Sequence, residues 1–280
     1  MNPESLPLVS VGMAVYNRPD YLREALEGVV NQTHKNLEII ISEDCSPCEE
    51  TKALIREYER RDDRIRCFRQ KSNLGPPANI HFVLTQATGE FFMWADDDDL
   101  RDERWVEVLL KKGAQEDTAI AIGNVVSIDP DKNVVKSYSP FQFSGPRSIR
   151  LARYFLAEPE EGKANVVCGL FRTEFLRSIK YWGEYDRTLF ANDILFSIDC
   201  LQYGNFEVDT SVTIYKRFAV GKDLPVSSMR DLIHRIYRRV QHDLVCIGIV
   251  NNWLDKILLT LLMPLKLIRL ISYKIIGRLR

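Results

Sequence analysis

The sequence predicts an α/β fold: a mostly parallel sheet with flanking helices, followed by a C-terminal helical amphipathic tail. Three observations predict it. Short apolar runs alternate with helix-period segments as far as residue 112. The carboxyl ends of those runs carry polar and acidic residues. Residues 227–280 differ from the rest in both charge and pattern.

Leu8 to Val15 is a continuous apolar run, as expected of a strand covered on both faces, and a helix follows from Pro19 to Asn31. Leu37 to Ser42 and Ile65 to Gln70 repeat the strand pattern, with helices over Glu49 to Arg61 and Ala78 to Ala87. Phe91 to Ala95 is a fourth strand that runs into Asp96-Asp97-Asp98-Asp99, and a helix covers Glu103 to Lys112. Such alternation makes each connection a crossover, which leaves strands parallel and helices on both faces. Further on, Ala119 to Ile128, Val134 to Tyr138 and Phe206 to Tyr215 pattern as strands, and residues 148–157, 173–179 and 191–203 as helices. Gly221 to Pro225 has the composition of a linker, which divides the chain into a body (1–226) and a tail (227–280).

Hydrophobic residues make up 45% and charged residues 28% of the 280 residues, which suits a packed core and excludes wholesale disorder. The net charge of -1 hides an asymmetry: ten Lys/Arg against three Asp in 227–280 give +7, leaving -8 on the body. An acidic body argues against a nucleic-acid partner. The six cysteines are scattered and imply no disulfide framework. Cys45 and Cys48 form a lone Cys-x-x-Cys without the two further ligands that a structural zinc needs. The first seven residues lack the basic-then-apolar pattern of a secretory leader, so a cytoplasmic body is expected.

Parallel sheets bind ligands beyond the carboxyl ends of their strands. Four groups fall there: Asn17 after the first strand, Glu43 and Asp44 after the second, Asn73 and Gly75 after the third, and the acidic run after the fourth. Four adjacent carboxylates repel one another unless a cation offsets them. Their oxygens suit Mg²⁺ or Mn²⁺, and Mg²⁺ typically takes one or two carboxylates plus substrate phosphates. By itself the run reads equally as an acidic start to the next helix. A carboxylate after the second strand either accepts hydrogen bonds from a base or ribose or caps a helix, and Asn73 to Gly75 is also a turn former.

In order and spacing these segments resemble the family 2 glycosyltransferases. Val9 to Arg18 looks like their opening strand, Asn31-Gln32-Thr33 like the end of their first helix, and Ile41 to Ser46 like their second strand end. Asn73 to Gly75 and Ala87 to Glu90 resemble the approach to their Asp-x-Asp motif, and Trp94 to Leu100 the motif itself. The resemblance covers residues 8–105 and, more loosely, 165–217. It implies a GT-A, Rossmann-like fold and inverting, metal-dependent transfer of a single sugar from a UDP, GDP or dTDP sugar. Ala14 and Tyr16 would lie against the base or ribose, with Asn17, Asn73 and Gly75 on the same donor side. Asp44, with Glu43, would hydrogen-bond the base. Asp96 and Asp97 would face the donor, and Asp98 would ligate Mn²⁺ or Mg²⁺. The implied general base is a carboxylate at a later helix start, Asp193, with Asn192 where relatives usually carry Glu. Val166 to Arg172, including Gly169, resembles the segment on the acceptor side. Tyr215-Lys216-Arg217-Phe218 lacks the late His of many relatives, and no Gln-x-x-Arg-Trp of processive synthases is present.

In the tail, Leu254, Ile257, Leu258, Leu261, Leu262, Leu265 and Ile268 recur at helical spacing among Lys256, Lys266, Arg269, Lys274, Arg278 and Arg280. From Trp253 to Arg280 the longest charge-free run, Ile257 to Leu265, is nine residues, too short for a span. An interfacial helix is expected, with basic residues towards anionic headgroups and Trp253 and Tyr273 at the interface. Pro264 is placed to kink or divide it. That puts the protein peripherally on the inner face of the membrane, with a lipid-linked or membrane-associated acceptor. Packing on the body or in a homo-oligomer is the alternative use of such a helix. Two other functions compete: a non-catalytic nucleotide- or cation-binding membrane module, and a sugar-phosphate nucleotidyltransferase. The second needs a Gly-rich basic loop after the first strand, which Val15 to Pro19 lacks.

Overall fold

The central strands are buried along almost their whole length because helices cover both faces of the sheet. The computed structural model describes residues 6–138, 142–158, 162–179, 192–217 and 229–276. It begins with β1 (Val9–Val15), α1 (Pro19–Val30), β2 (Leu37–Glu43), α2 (Glu49–Arg61), β3 (Ile65–Arg69), α3 (Pro76–Thr85) and β4 (Phe91–Trp94). These four strands are parallel in the order β3-β2-β1-β4, with Val9 opposite both Leu37 and Phe91. The predicted half-sheet is therefore present, with α3 starting two residues earlier than expected, on Pro76 and Pro77. Proline suits a first helical turn because its missing N–H would have no partner there.

β5 (Leu100–Arg101), α4 (Trp105–Gly113), β6 (Thr118–Ile128), β7 (Val134–Ser137) and α5 (Arg147–Leu156) follow, then a 3-10 turn over Lys163–Cys168. Next come β8 (Leu170–Arg172), α6 (Thr173–Ser178), α7 (Asn192–Cys200) and β9 (Asn205–Arg217). Among the described residues nine strands form one sheet, extended from β4 through β8, β6 and β9 to β5, with β7 on β6. β8 runs antiparallel to β4, and β5 antiparallel to β9. Neither was expected from sequence: two or three residues are too few for a strand periodicity. Edge-to-face rings tie the halves together. Phe92 meets Trp94 at 4.9 Å, Trp94 meets Phe171 at 5.5 Å, and Phe171 meets Phe196 at 5.9 Å. This fixes α7, the helix that carries Asp193, against β4 and β8.

The last elements are α8 (Met229–Ile249) and α9 (Trp253–Ile276). The linker expected at Gly221 to Pro225 lies outside the described residues, as do the side chains of Asn192, Tyr273 and Lys274 and all of Arg278 and Arg280. α9 runs through Pro264 without dividing. Cys246, Ile247, Val250 and Leu259 join the common core. Lys266, expected to face headgroups, turns inward: its Nζ lies 2.6 Å from Asp243 Oδ1 and 4.0 Å from the Phe155 ring centre. Arg239 likewise meets Glu158 at 3.2 Å and Asp243 at 3.5 Å. A buried carboxylate left without such partners would cost several kcal/mol, of order 3–5, so the basic residues nearest to it are drawn inside. Arg147 closes the far end at 2.7 Å from the buried Asp255.

His242 belongs to this cluster, with Nδ1 3.6 Å from Cys246 Sγ and 3.8 Å from Asp243 Oδ1. Burial opposes its charge, but Asp243 and Cys246 outweigh burial and raise its pKa to about 9. An unfolded histidine titrates near about 6.5, so this contribution to stability is complete below that pH and is lost as pH rises through about 9. The stability gap between the native chain and His242→Gln, from urea denaturation, is therefore expected to be widest near neutrality and to shrink towards pH 9.5. A gap that stays constant across this window would refute the assignment.

Candidate active site

β1, β2 and β4 end at one side of the sheet, and a cavity of about 440 Å³ opens beyond them. Ala14, Tyr16 and Arg18 line it from the end of β1, Asp44 from β2, Asn73, Pro76, Asn79 and Ile80 from the β3–α3 segment, and Trp94 to Asp98 from β4. Val167 and Cys168 of the 3-10 turn form the opposite wall. Gly12 lies in the floor, where a Cβ would come within 2.6 Å of Phe92 Cζ and 2.7 Å of Val83 Cγ2.

The four aspartates divide into two pairs. Asp96 and Asp99 share Lys216, whose Nζ lies 3.3 Å from Asp96 Oδ2, 3.5 Å from Asp99 Oδ2 and 3.1 Å from Cys168 Sγ. Burial disfavours the ammonium, but Cys168, Asp96 and Asp99 hold it charged, well above the ordinary lysine range. Asp99 is buried and also accepts the backbone N–H of Arg217 at 3.1 Å. Arg217 donates to the Asp98 carbonyl at 2.5 Å, pairs with Glu24 of α1, and lies over the Tyr21 ring at 4.4 Å. Asp99, without an argued role in the sequence reading, is thus a buried anchor for the end of β9. Asp97 and Asp98 face the cavity with Arg18 between them. Arg18 Nη1 pairs with Asp98 and lies 3.4 Å from Asp97 Oδ1, while the Tyr16 N–H donates to Asp97 Oδ2 at 3.2 Å. Burial raises the Asp97 carboxyl to about 7 and raises Asp98 as well, against the pull of Arg18. Lys216 and Arg101 instead outweigh burial at Asp96 and hold it at about 2.

At the other end of the cavity, Asp44 accepts the N–H groups of Leu74 at 2.7 Å and Gly75 at 3.1 Å, and so ties the β3–α3 loop to the end of β2. Asn73 Oδ1 accepts the same Gly75 N–H at 2.8 Å. Gly75 has φ 80°, the left-handed region that glycine enters without strain. A carboxylate has about four lone-pair sites, so Asp44 keeps capacity for a ligand donor. Asn79, missed by sequence reading, is buried at the same wall; its Nδ2 donates to the Ser42 carbonyl at 3.1 Å. Glu43 sits behind this surface, and Asn17 is exposed beside it. Glu43 is buried and accepts the Ser46 N–H at 2.5 Å, and the Asn17 N–H donates to Ser46 Oγ at 3.1 Å from a left-handed residue of φ 56°.

Asp193 stands in the first turn of α7, with Oδ1 accepting the Ile194 N–H at 3.1 Å. Burial raises its pKa above the ordinary carboxylate value; the Ile194 N–H, then Lys216 and His242, pull it back. It is not part of the cavity wall itself but lies in the field of Lys216, beside the 3-10 turn. Asn192 precedes it in the same helix. Gly169 faces away from the cavity, since a Cβ there would meet the Ala121 carbonyl at 2.6 Å; its neighbours Val167 and Cys168 supply the wall.

Asp96, Asp99 and Cys168 place three ligand atoms within 4.8 Å of one another. Lys216 lies among them, and a thiol is a poor ligand for a hard cation. Asp98, with Asp97, offers carboxylate oxygens to the cavity, and this donor set fits Mg²⁺ or Mn²⁺ completed by phosphate oxygens.

Comparison with known proteins agrees with this fold. Residues 10–183 match the family model described as Glycosyl transferase family 2. A GalNAc(5)-diNAcBac-PP-undecaprenol beta-1,3-glucosyltransferase of Campylobacter jejuni is 28% identical over 76% of this chain and 66% of its own length. An uncharacterized glycosyltransferase of Methanocaldococcus jannaschii is 28% identical over 70% of this chain and 65% of its own. The chain thus spans just under two thirds of the length of these relatives. Among solved structures, S. aureus TarS 1-349 in complex with UDP superposes with a TM-score of 0.58 at 18% identity, over 84% of this chain and 65% of that one. Its complex with UDP-GlcNAc gives 0.58 at 17% identity, over 87% and 71%. With an Asp-x-Asp motif at the end of the fourth strand of a GT-A sheet, and the family model covering most of that sheet, the chain belongs to glycosyl transferase family 2.

Proposed function

We propose that this protein transfers a single sugar, with inversion, from a nucleoside-diphosphate sugar to an acceptor hydroxyl. The observation that carries the reading is the convergence of Ala14, Tyr16, Asp44 and Asp96 to Asp98 on one cavity at the carboxyl ends of parallel strands. The UDP and UDP-GlcNAc complexes of the TarS structures support a uridine nucleotide among the candidate donors. Tyr16 and Ala14 offer a flat wall to the base or ribose, and Asp44 offers an acceptor to a base N–H. A divalent cation bound at Asp98 would stabilise the departing diphosphate, whose negative charge grows in the transition state. Asp96 and Asp97 face the sugar side. Asp193 accepts the proton of the acceptor hydroxyl as the oxygen attacks the anomeric carbon from the face opposite the leaving group. The segments of Gly169 and Asn192 are assigned to the acceptor side.

The acceptor is proposed to be lipid-linked or membrane-associated, in glycan assembly on the inner face of a membrane. The name of the Campylobacter relative, which acts on an undecaprenol-linked glycan, supports this. The outer face of α9 supports it too: Trp253, Leu254, Ile257, Leu261, Leu265 and Ile268 are exposed in one stripe, Leu261 at 73%. No described helix is long and apolar enough to cross a membrane. A peripheral helix lying in the headgroup region fits that stripe, with Arg269 and Lys256 beside it.

Four outcomes are expected. A thermal-shift panel of UDP, GDP and dTDP sugars should show one donor stabilising the chain with Mn²⁺ but little without it; equal stabilisation in a chelator would reject metal-dependent binding. Asp193→Asn should lower turnover by about 10²- to 10⁴-fold while leaving donor binding intact. Because the base works deprotonated and burial raises its pKa, the acid limb of the native kcat profile should lie above the ordinary carboxylate value; retained turnover in the variant would remove Asp193 from this role. The full chain should sediment with liposomes containing anionic lipid, and Leu261→Glu with Ile257→Glu should release it. Retention of the double variant, or a monomer–dimer shift by light scattering without liposome binding, would assign the stripe to protein contact instead.

A further inference from the structure

Arg18 occupies the N-cap position of α1, where its side chain makes no capping hydrogen bond. It reaches across the cavity mouth to Asp98 and Asp97 instead. Among the described residues Lys216, Arg217 and Arg18 pair with or hydrogen-bond to the acidic run directly, and they differ in how they are held. Lys216 lies among Asp96, Asp99 and Cys168, and Arg217 is fixed by Glu24 and the Asp98 carbonyl with its side chain only 6% exposed. The Arg18 side chain is 51% exposed and, among the described residues, its guanidinium is held by Asp97 and Asp98 alone. It is therefore the cation with the least packing to resist movement.

Arg18 also holds the atoms that a metal would need. Asp98 Oδ2 is both the oxygen paired with Arg18 and part of the donor set facing the cavity. A guanidinium keeps its charge at any working pH, so Arg18 and a divalent cation on the same carboxylate repel each other and exclude each other. Released from Asp98, Arg18 remains at the mouth of the cavity that it lines, beside Tyr16. The anion closest to hand in a donor complex is then the diphosphate, whose oxygens match the guanidinium fork better than an ammonium would.

We propose that Arg18 and the divalent cation exchange at Asp98, and that Arg18 then holds the donor diphosphate. This rests on the metal-dependent donor site proposed above. Arg18 is thus a positioning residue that makes metal binding conditional on nucleotide. Metal by itself must displace Arg18 without giving it a new partner; metal arriving with a diphosphate supplies one. Metal and nucleotide then bind with positive coupling, and each tightens the other by the same factor.

The test is direct Mn²⁺ binding, followed by the electron paramagnetic resonance signal of free Mn²⁺, with the full chain and no acceptor. The native chain, Arg18→Ala, Arg18→Lys and Asp98→Asn are each titrated without nucleotide, with UDP and with UMP. Without nucleotide, Arg18→Ala should bind Mn²⁺ roughly tenfold more tightly than the native chain, because the competing cation is gone. UDP should tighten Mn²⁺ binding in the native chain, and roughly tenfold less in Arg18→Ala. The native advantage should shrink with UMP, which lacks the second phosphate. Arg18→Lys should restore the competition without restoring the full gain from UDP. Melting curves of each variant check folding. Unchanged or weaker Mn²⁺ binding by Arg18→Ala, or an undiminished gain from UDP, overturns the exchange while leaving the metal site standing. Equal Mn²⁺ binding by the native chain and Asp98→Asn in the presence of UDP overturns the metal assignment, and the exchange with it.

Discussion

Four carboxylates in a row at the end of a buried strand are the constraint around which this molecule is arranged. Two like charges about 5 Å apart repel by about 3 kcal/mol at an effective dielectric of about 20, so the run is not sustained unless cations come to it. They come from distant parts of the chain. Lys216 and Arg217 arrive from the end of β9, and Arg18 from the loop after β1. This is why β9 continues to Arg217 and why Glu24 of α1 is turned towards it. The same charge balance commits Asp99 to the fold and leaves Asp96, Asp97 and Asp98 on the cavity.

Behind the cavity the scaffold is held by hydrogen bonds to buried acids. Glu38 on β2 accepts from Ser10 Oγ at 2.5 Å, from the N–H groups of Thr88 at 2.5 Å and Gly89 at 3.0 Å, and from Arg66 at 3.0 Å. Burial works to raise its pKa, but these donors outweigh it and hold the carboxyl below the ordinary range. Glu38 thus locks β1, β2 and the turn before β4 at the base of the strands, while Asp44 locks the β3–α3 loop at their tips. Both ends being fixed, the strand tips keep a common level, and Ala14, Asp44 and Asp96 can face one ligand. Preorganisation of this kind matters because a donor bound across several elements loses affinity if any one of them must be ordered first.

The C-terminal helices present two unlike faces. Their inner face carries Asp243, Lys266, Arg239 and Asp255, which pair with one another or with α5 and its following residues. The outer face of α9 leaves a row of large apolar side chains in contact with solvent. An exposed apolar stripe on a helix whose polar side is already paired inward is the pattern of a docking surface rather than of a solvated helix.

The sequence by itself determined the parallel half of the sheet, because each of its strands is long enough to show its period and is separated from the next by a full helix. It also placed Asn17, Glu43, Asp44, Asn73, Gly75 and the acidic run at the ligand end, since topology alone sends strand ends to one side. Only the tertiary structure decided what each of these does. It put Ala14, Tyr16, Asp44 and Asp96 to Asp98 on the cavity, Glu43 and Gly169 behind its walls, and left Asn17 exposed beside it. It brought in Arg18, Asn79, Cys168 and Lys216, whose partners lie 37 to 120 residues away and leave no local pattern. It also reversed the expected direction of Lys266, because periodicity tells which residues share a helical face but not what lies opposite it. Charge pairing across the fold settles that, and it depends on distances that no spacing along the chain encodes.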